Sequence, residues 1–170
     1  MLVEHPPFEL VMRIRYALAL ALALASCSLT LPAVAASFSG TTVAVADGDT
    51  LTVLKGREEV RVRLAEIDAP EKRMDFGQVS KRSLSDLCYR KRTEVHVQDV
   101  DRYGRVVGRV TCEGIDANRN QVRNGMAWVY DRYARDRSLY TLQAEAQQAR
   151  RGLWNAPSPI KPWDWRQANR

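Results

Sequence analysis

The chain has 170 residues and a formal net charge of +6. This length supports one domain with a hydrophobic core and is too short for two ordinary domains, so we expect a single active site. The basic balance favours a polyanion as partner, either nucleic acid or an anionic membrane surface.

Residues 1–36 have the composition of a secretory signal. Arg13 and Arg15 precede an apolar run that begins at Tyr16, and small residues follow. The run contains too many polar residues for a spanning helix, which needs about 20 apolar residues. Cleavage after Ala33–Ala35 is favoured, and a lipobox ending at Cys27 is the alternative. We therefore predict an exported protein, periplasmic or secreted, which contacts a membrane only if Cys27 is lipidated.

Removing residues 1–36 takes away two arginines and two glutamates, so the rest of the chain, residues 37–170, keeps the whole charge of +6. Within it, we assign residues 37–155 to one domain. Its first half contains short alternating or β-branched segments separated by turn residues, which predict a three-stranded meander. The predicted strands are Thr42–Val45, Thr50–Leu54 and Glu59–Leu64.

The pattern then changes to helical spacing over Gly77–Tyr89, returns to strands over Thr93–Val97 and Arg105–Thr111, and ends in two helices. The helices are predicted over Ala117–Ala127 and Ser138–Arg151, the second capped by its serine. Five strands with one helix between the third and fourth, followed by further helices, are compatible with an α+β chain built on an OB-type five-stranded barrel with about three helices.

Residues 156–170 form a tail rich in proline and tryptophan. Its prolines interrupt a helix, so it is either a loose tail or a strap whose tryptophans dock on the domain. The strap is favoured, because two exposed tryptophans would otherwise remain in water.

Two cysteines, Cys88 and Cys112, remain after signal removal. An oxidising compartment permits a disulfide, and the chain has no zinc-like cysteine spacing. We predict that these two cysteines are bonded.

Three clusters contain acids and arginines that packing does not require: Asp47–Thr50, Arg63–Glu71 and Asp101–Arg105. Together they resemble the staphylococcal nuclease (thermonuclease-like) family, whose signature is a VxDGDT turn, an R-L-x-x-(I/V)-D-x-P-E segment and a D-(R/K)-Y-G-R turn. The resemblance covers approximately residues 39–154. It implies an OB-type barrel and a calcium-dependent nuclease that hydrolyses phosphodiester bonds of DNA, RNA or both.

The resemblance also implies a metal site. Calcium would be held by Asp49, Asp68 and the backbone carbonyl of Ala69, with Asp47 in support; alanine replaces a common threonine but offers the same carbonyl. Oxygen ligands of this kind suit calcium.

Three further residues match the catalytic positions of the family. Glu71 matches the carboxylate that orients or deprotonates the attacking water. Arg63 and Arg105 match the arginines that bind the scissile phosphate, where a guanidinium can donate two parallel hydrogen bonds.

Substrate contacts are predicted at four other residues. Arg102 and Tyr103 match positions that bind the terminal phosphate and sugar of a nucleotide. Tyr130 and Tyr133 are candidates for stacking on a base, whereas Trp128 is assigned to the core.

Each cluster taken alone could be an ordinary charged turn. Two other functions stay open: a nucleic-acid-binding module of the same fold without catalysis, and a structural or adaptor protein of the cell envelope. No stable protein partner is implied, and a monomer is the default.

Overall fold

The computed structural model describes residues 36–169. The predicted signal segment and Cys27 therefore lie outside the described residues. Within the described part, no helix is both long and apolar enough to cross a membrane.

Eight strands are present in the described residues: β1 Ser37–Val45, β2 Thr50–Lys55, β3 Glu58–Leu64, β4 Ile67–Asp68, β5 Arg92–Val100, β6 Val106–Cys112, β7 Ile115–Asp116 and β8 Trp128–Val129. Four α-helices accompany them: α1 Gly77–Cys88, α2 Ala117–Arg123, α3 Ser138–Gln148 and α4 Pro162–Ala168, with a 3-10 turn over Gly152–Asn155. The five long strands match the predicted ones, each shifted or extended by a few residues at its ends.

A closed barrel is formed by β1, β2, β3, β5 and β6. Antiparallel pairs give the order β3-β2-β1-β5-β6, and β3 then pairs with β6 in parallel, Arg63 lying opposite Val107. This closing pair brings the start of the second cluster, Arg63 and Leu64, beside the strand that follows the third cluster. The predicted OB-type barrel is therefore confirmed.

The core fills the barrel and the space beneath the helices. Inward-facing β-branched and leucine residues of the strands are fully buried, and the helices add their own apolar faces. Its largest members are Leu51, Val53, Val62, Leu64, Leu84, Val95, Val110, Val122 and Leu139. Trp128 packs in a second cluster with Ala146, Leu153 and Trp154, as the assignment of Trp128 to the core requires.

The helix predicted to reach Ala127 ends at Arg123. Gly125 has a φ of 66°, which stops the helix, and the next residues pair as β8 with β4. Asp116 caps the start of this helix by accepting a hydrogen bond from the Arg119 amide at 2.9 Å.

Helix α3 also differs from the prediction, since it ends at Gln148 rather than Arg151. Positive φ angles at Arg150 and Gly152 turn the chain after the helix. Ser138 is not its cap: the cap position is Arg137, and the Ser138 hydroxyl instead donates to Asp136 at 2.6 Å.

The C-terminal tail is a docked strap that contains a helix, which the sequence analysis did not predict. Pro162 begins α4, where a missing amide hydrogen and a fixed φ are tolerated. The ring of Trp163 stacks on Tyr130 at 4.9 Å with 9° between the planes.

Cys88 at the end of α1 and Cys112 at the end of β6 form a disulfide. It ties the helix that lies between the third and fourth long strands to the barrel wall.

Candidate active site

The first part of the site is the turn between β1 and β2. The backbone amide of Asp49 donates a hydrogen bond to Asp47 Oδ1 at 3.1 Å. The Asp49 carbonyl accepts a hydrogen bond of 2.8 Å from the amide of Leu64, which ends β3. A Cβ on Gly48 would collide with Ser80 Oγ and lie 2.7 Å from Ala69 Cβ. Glycine is therefore required for the turn to approach the second cluster and helix α1 so closely.

The second part follows β3. The chain turns at Glu66, which has a φ of 66°, and β4 then carries Asp68 into the interior with 1% exposure. The amide of Ala69 donates to Asp49 Oδ2 at 2.9 Å. The first two clusters are therefore in direct contact.

Arg63 links the two buried aspartates. Its Nη1 lies 3.0 Å from Asp49 Oδ2 and its Nη2 lies 2.8 Å from Asp68 Oδ1. One guanidinium therefore bridges Asp49 and Asp68.

Burial and mutual repulsion set the charge state of the acids. Burial, followed by the negative charge of Asp49, raises the pKa of Asp47 to about 6. Burial also raises the pKa of Asp68 to about 6, even though Arg166 and Arg63 favour its charged form. Burial and the neighbouring carboxylate of Asp49 therefore make the charged forms of Asp47 and Asp68 less favourable than they would be in water.

Glu71 lies one residue beyond Pro70, with 35% of its side chain exposed. Its Oε1 accepts a hydrogen bond from Arg166 Nη1 at 2.6 Å. The same guanidinium donates through Nη2 to Asp68 Oδ2 at 2.6 Å. Glu71 and Asp68 are thus connected through a residue of the C-terminal strap.

Sequence reasoning missed Arg166. The tryptophans of the tail predict a docked strap. Nothing in the local pattern of the tail connects an arginine with acids about a hundred residues earlier in the chain. The only available signal was an arginine placed between docking tryptophans and the chain end.

Two buried amides that sequence reasoning also missed support the site from beneath. Gln121 Nε2 donates to the Gly48 carbonyl at 2.7 Å and to the Ser80 carbonyl at 3.2 Å. Asn118 Nδ2 donates to the Ala65 carbonyl at 2.8 Å, and its Oδ1 accepts from Val110. The sequence analysis predicted only a helix over Ala117–Ala127, with no role for these two amides.

The third cluster forms the loop between β5 and β6. The Asp101 carboxylate accepts a hydrogen bond from Arg105 Nε at 2.7 Å. It also accepts hydrogen bonds from the backbone amides of Tyr103 and Arg105 at 2.9 and 3.0 Å. The pairing of β6 with β3 brings this loop to the strand that carries Arg63. Arg105 itself contacts Asp101, so the structure does not bring its guanidinium into contact with Asp49 or Asp68.

Arg102 and Tyr103 lie at the exposed tip of this loop. Arg102 Nη2 donates to the Tyr103 hydroxyl at 2.7 Å, and the Tyr103 side chain is 69% exposed. The guanidinium of Arg105 lies 5.6 Å from the Tyr103 ring centre. These three side chains form one basic and aromatic surface.

The other two predicted substrate residues follow β8. Tyr133 is 56% exposed, and its ring meets Tyr130 edge to face at 5.0 Å. Tyr130 and Trp163 line an open cavity of about 490 Å³ together with Asp131, Arg132 and Gln167. Since Trp163 stacks on one face of Tyr130, that face is covered while the strap stays docked.

No group of three or more histidine, cysteine, aspartate or glutamate side chains is arranged for a metal within residues 36–169. The predicted set of two carboxylates and one carbonyl is smaller than such a group. Any metal at this cluster would complete its coordination with water or substrate oxygens.

Comparison with known proteins shows the family of this chain. Residues 61–156 match the family described as Staphylococcal nuclease homologue. An uncharacterized endonuclease of Escherichia coli is 46% identical over 125 residues, which cover 73% of this chain and 82% of that protein. A micrococcal nuclease of Shigella flexneri is 40% identical over 139 residues, covering 75% and 80%. Protein ParB of Escherichia coli is 39% identical over 135 residues, covering 73% and 76%. The chain therefore belongs to the staphylococcal nuclease homologue family.

Proposed function

We propose that this nuclease hydrolyses phosphodiester bonds of DNA, RNA or both by calcium-assisted attack of water at the Asp49–Asp68 cluster. The observation that carries the proposal is the contact of one guanidinium, that of Arg63, with both buried carboxylates. The carboxylates proposed to hold the cation therefore lie next to the guanidinium proposed to bind the phosphate, and hydrolysis of an anionic diester requires both groups at one place.

The residues present fit calcium. The donors are all hard oxygens, and burial with like charge raises the pKa values of Asp47 and Asp68. A divalent cation would relieve that repulsion, with Asp49, Asp68 and the Ala69 carbonyl as ligands and Asp47 in support. Bound calcium would supply charge neutralisation on the phosphate and a more acidic water.

The side chains around this site have distinct roles in the proposal. Glu71 orients the attacking water and accepts its proton. Arg63 and Arg105 donate hydrogen bonds to the phosphate oxygens and stay charged at any working pH. Asp101 holds the Nε side of Arg105, which limits the directions that its remaining donors can take.

Substrate outside the scissile phosphate would lie on two surfaces. Arg102 and Tyr103 form the exposed tip of the β5–β6 loop and bind the terminal phosphate and sugar. Tyr133, with the free face of Tyr130, offers an aromatic surface for a base.

The direct test is cleavage of single-stranded DNA and of RNA by the chain lacking residues 1–36, with calcium or with excess chelator. We expect cleavage only with calcium. Glu71→Gln, Arg63→Ala and Arg105→Ala should each lower kcat about 100-fold or more. Asp86→Asn on the exposed side of α1 removes one carboxylate and should leave kcat unchanged.

A second readout does not depend on activity. Calcium should raise the Tm of the Glu71→Gln protein, because a ligand that binds only the folded state stabilises it. Asp49→Asn should weaken this shift. Binding of DNA that weakens with salt but is never followed by cleavage would instead indicate a nucleic-acid-binding module.

We also propose that the protein is exported by the signal in residues 1–36. The support is the order of basic, apolar and small residues in this segment. Sequencing the N-terminus of protein recovered outside the cytoplasm tests this, and a diacylglycerol group on Cys27 would establish the lipid-anchored alternative.

A further inference from the structure

The C-terminal strap contributes a second arginine, after Arg63, to the carboxylate cluster. Arg166 Nη1 lies 2.6 Å from Glu71 Oε1, and Nη2 lies 2.6 Å from Asp68 Oδ2. Nη1 also donates to Asp68 Oδ1 at 3.3 Å. Burial disfavours the charged guanidinium, but the bonds to Asp68 and Glu71 outweigh it and raise the pKa of Arg166.

The two carboxylates differ in what else holds them. Asp68 is 1% exposed, and its Oδ1 also accepts a hydrogen bond from Arg63 Nη2. Glu71 is more than a third exposed, and among the described residues Arg166 is the side chain that hydrogen-bonds its carboxylate. A glutamate on a loop has several accessible rotamers, so this bond decides which one is populated.

We propose that Arg166 is a positioning residue for Glu71. The Arg166 guanidinium fixes the water-orienting carboxylate of Glu71 relative to the metal-holding carboxylate of Asp68. The inference rests on the proposed function, in which Glu71 directs the attacking water. It adds a role for the strap that the three sequence clusters do not contain.

The strap is anchored well enough to hold Arg166 in place. Trp163 stacks on Tyr130 at 4.9 Å and meets Trp128 edge to face at 6.2 Å. Lys161 Nζ lies 5.7 Å from the Trp128 ring centre, and Pro162 is buried. Trp163 is three residues before Arg166 in the same helix, so these contacts fix the Arg166 backbone relative to β8.

Only arginine suits this position. Two carboxylates are engaged at once, and a planar guanidinium offers separate donors to each in a fixed geometry. A lysine ammonium on a flexible stem keeps the charge but does not fix the angle between the two bonds. Arg166→Lys should therefore restore only part of what Arg166→Ala loses.

The test is a double-mutant cycle in the chain without residues 1–36, using Glu71→Gln, Arg166→Ala and both together. With calcium and single-stranded DNA, we expect Arg166→Ala to lower kcat about 10- to 100-fold with KM within about threefold, as for a misplaced reacting group. In the Glu71→Gln background the same change should alter kcat less than about threefold, because the group it positions is already disabled. Arg166→Lys should fall between wild type and Arg166→Ala.

Two controls make the result specific. Arg57→Ala, in the exposed turn after β2, removes the same charge and should leave kcat within about twofold. Urea unfolding and tryptophan fluorescence of each variant establish whether the strap remains docked, and Arg166→Lys serves as the comparison if Arg166→Ala loosens it.

The outcomes are distinguishable. Wild-type protein that never cleaves would overturn the proposed function and this inference together. If wild type is active but the losses from Glu71→Gln and Arg166→Ala are additive, the nuclease function would stand and the positioning role would be overturned. A raised KM with unchanged kcat in Arg166→Ala would have the same meaning. A higher kcat in Arg166→Ala would also overturn it and would make the strap an inhibitor of the site.

Discussion

Gln121 offers a sharp test of how the fold supports the Asp47–Asp49 turn. Its side chain is fully buried on α2, and its Nε2 donates to the Gly48 carbonyl at 2.7 Å and the Ser80 carbonyl at 3.2 Å. Its Oε1 accepts from Ser83 Oγ at 2.7 Å. One amide therefore joins the turn before β2 to helix α1.

Gln121→Met keeps the volume and removes every one of these hydrogen bonds. Each buried polar group left unsatisfied costs about 1–3 kcal/mol, and a methionine of similar size adds little cavity cost. We expect the free energy of unfolding to fall by about 2–4 kcal/mol. Since the free energy of unfolding of a natural domain is about 5–15 kcal/mol, the variant should still fold at 25 °C.

The assay is urea unfolding with the kcat measured on the same preparation. We expect a lower midpoint without a change in the slope, together with a kcat reduced about tenfold as the turn relaxes. Gln148→Met on the exposed end of α3 makes the same chemical change. Its free energy of unfolding should stay within about 0.5 kcal/mol of the wild-type value. If Gln121→Met also stayed within that range, the amide would not support the turn and the reasoning would be refuted.

Three further predictions follow from particular contacts. Gly48→Ala should unfold more easily and lose most activity, because its Cβ would collide with a hydroxyl of α1; wild-type kcat would contradict this. Asp136→Asn should cost about 1–2 kcal/mol at neutral pH. Hydrogen bonds from Ser138, then from an arginine, hold the pKa of Asp136 below its ordinary value, so its stabilisation is present above the unfolded pKa of about 3.9 and is lost as pH falls through the folded one. Wild type and variant should therefore converge in urea unfolding at acidic pH, and an equal difference at all pH values would refute the assignment. Replacing both Cys88 and Cys112 by alanine should lower the free energy of unfolding by about 2–5 kcal/mol, measured against the same protein with its disulfide intact; an unchanged midpoint would refute it.

The five long strands and the first helix could be predicted because their signals are local. Strand alternation ends at turn residues such as Gly56, and α1 presents Leu84 and Cys88 inward at helical spacing. The same helical spacing would place Val79 on the inner face, but Val79 is 48% exposed while Ser80 is buried. Ser80 replaces it on the inner face because its hydroxyl donates to the Met126 carbonyl at 2.6 Å, a partner that sequence spacing does not reveal.

Helix ends and the tail were predicted less well. Gly125 and Arg150 take positive φ angles where the pattern alone allowed the helices to continue. Helix α4 begins at a proline in a segment whose prolines had argued against any helix. Its formation depends on Trp163 meeting the ring of Tyr130, which is a tertiary contact.

The sequence by itself determined which residues are candidates for the proposed chemistry, because acids, arginines and the glycine of a tight turn are recognisable in short stretches. Only the tertiary structure decided how they meet. The parallel pairing of β3 with β6 closes the barrel and brings distant loops to one edge, and Arg63 then bridges two aspartates from different clusters. The contact of Arg166 with Asp68 crosses 98 positions of the chain. No local pattern encodes such a contact, because it depends on where aromatic stacking anchors the strap.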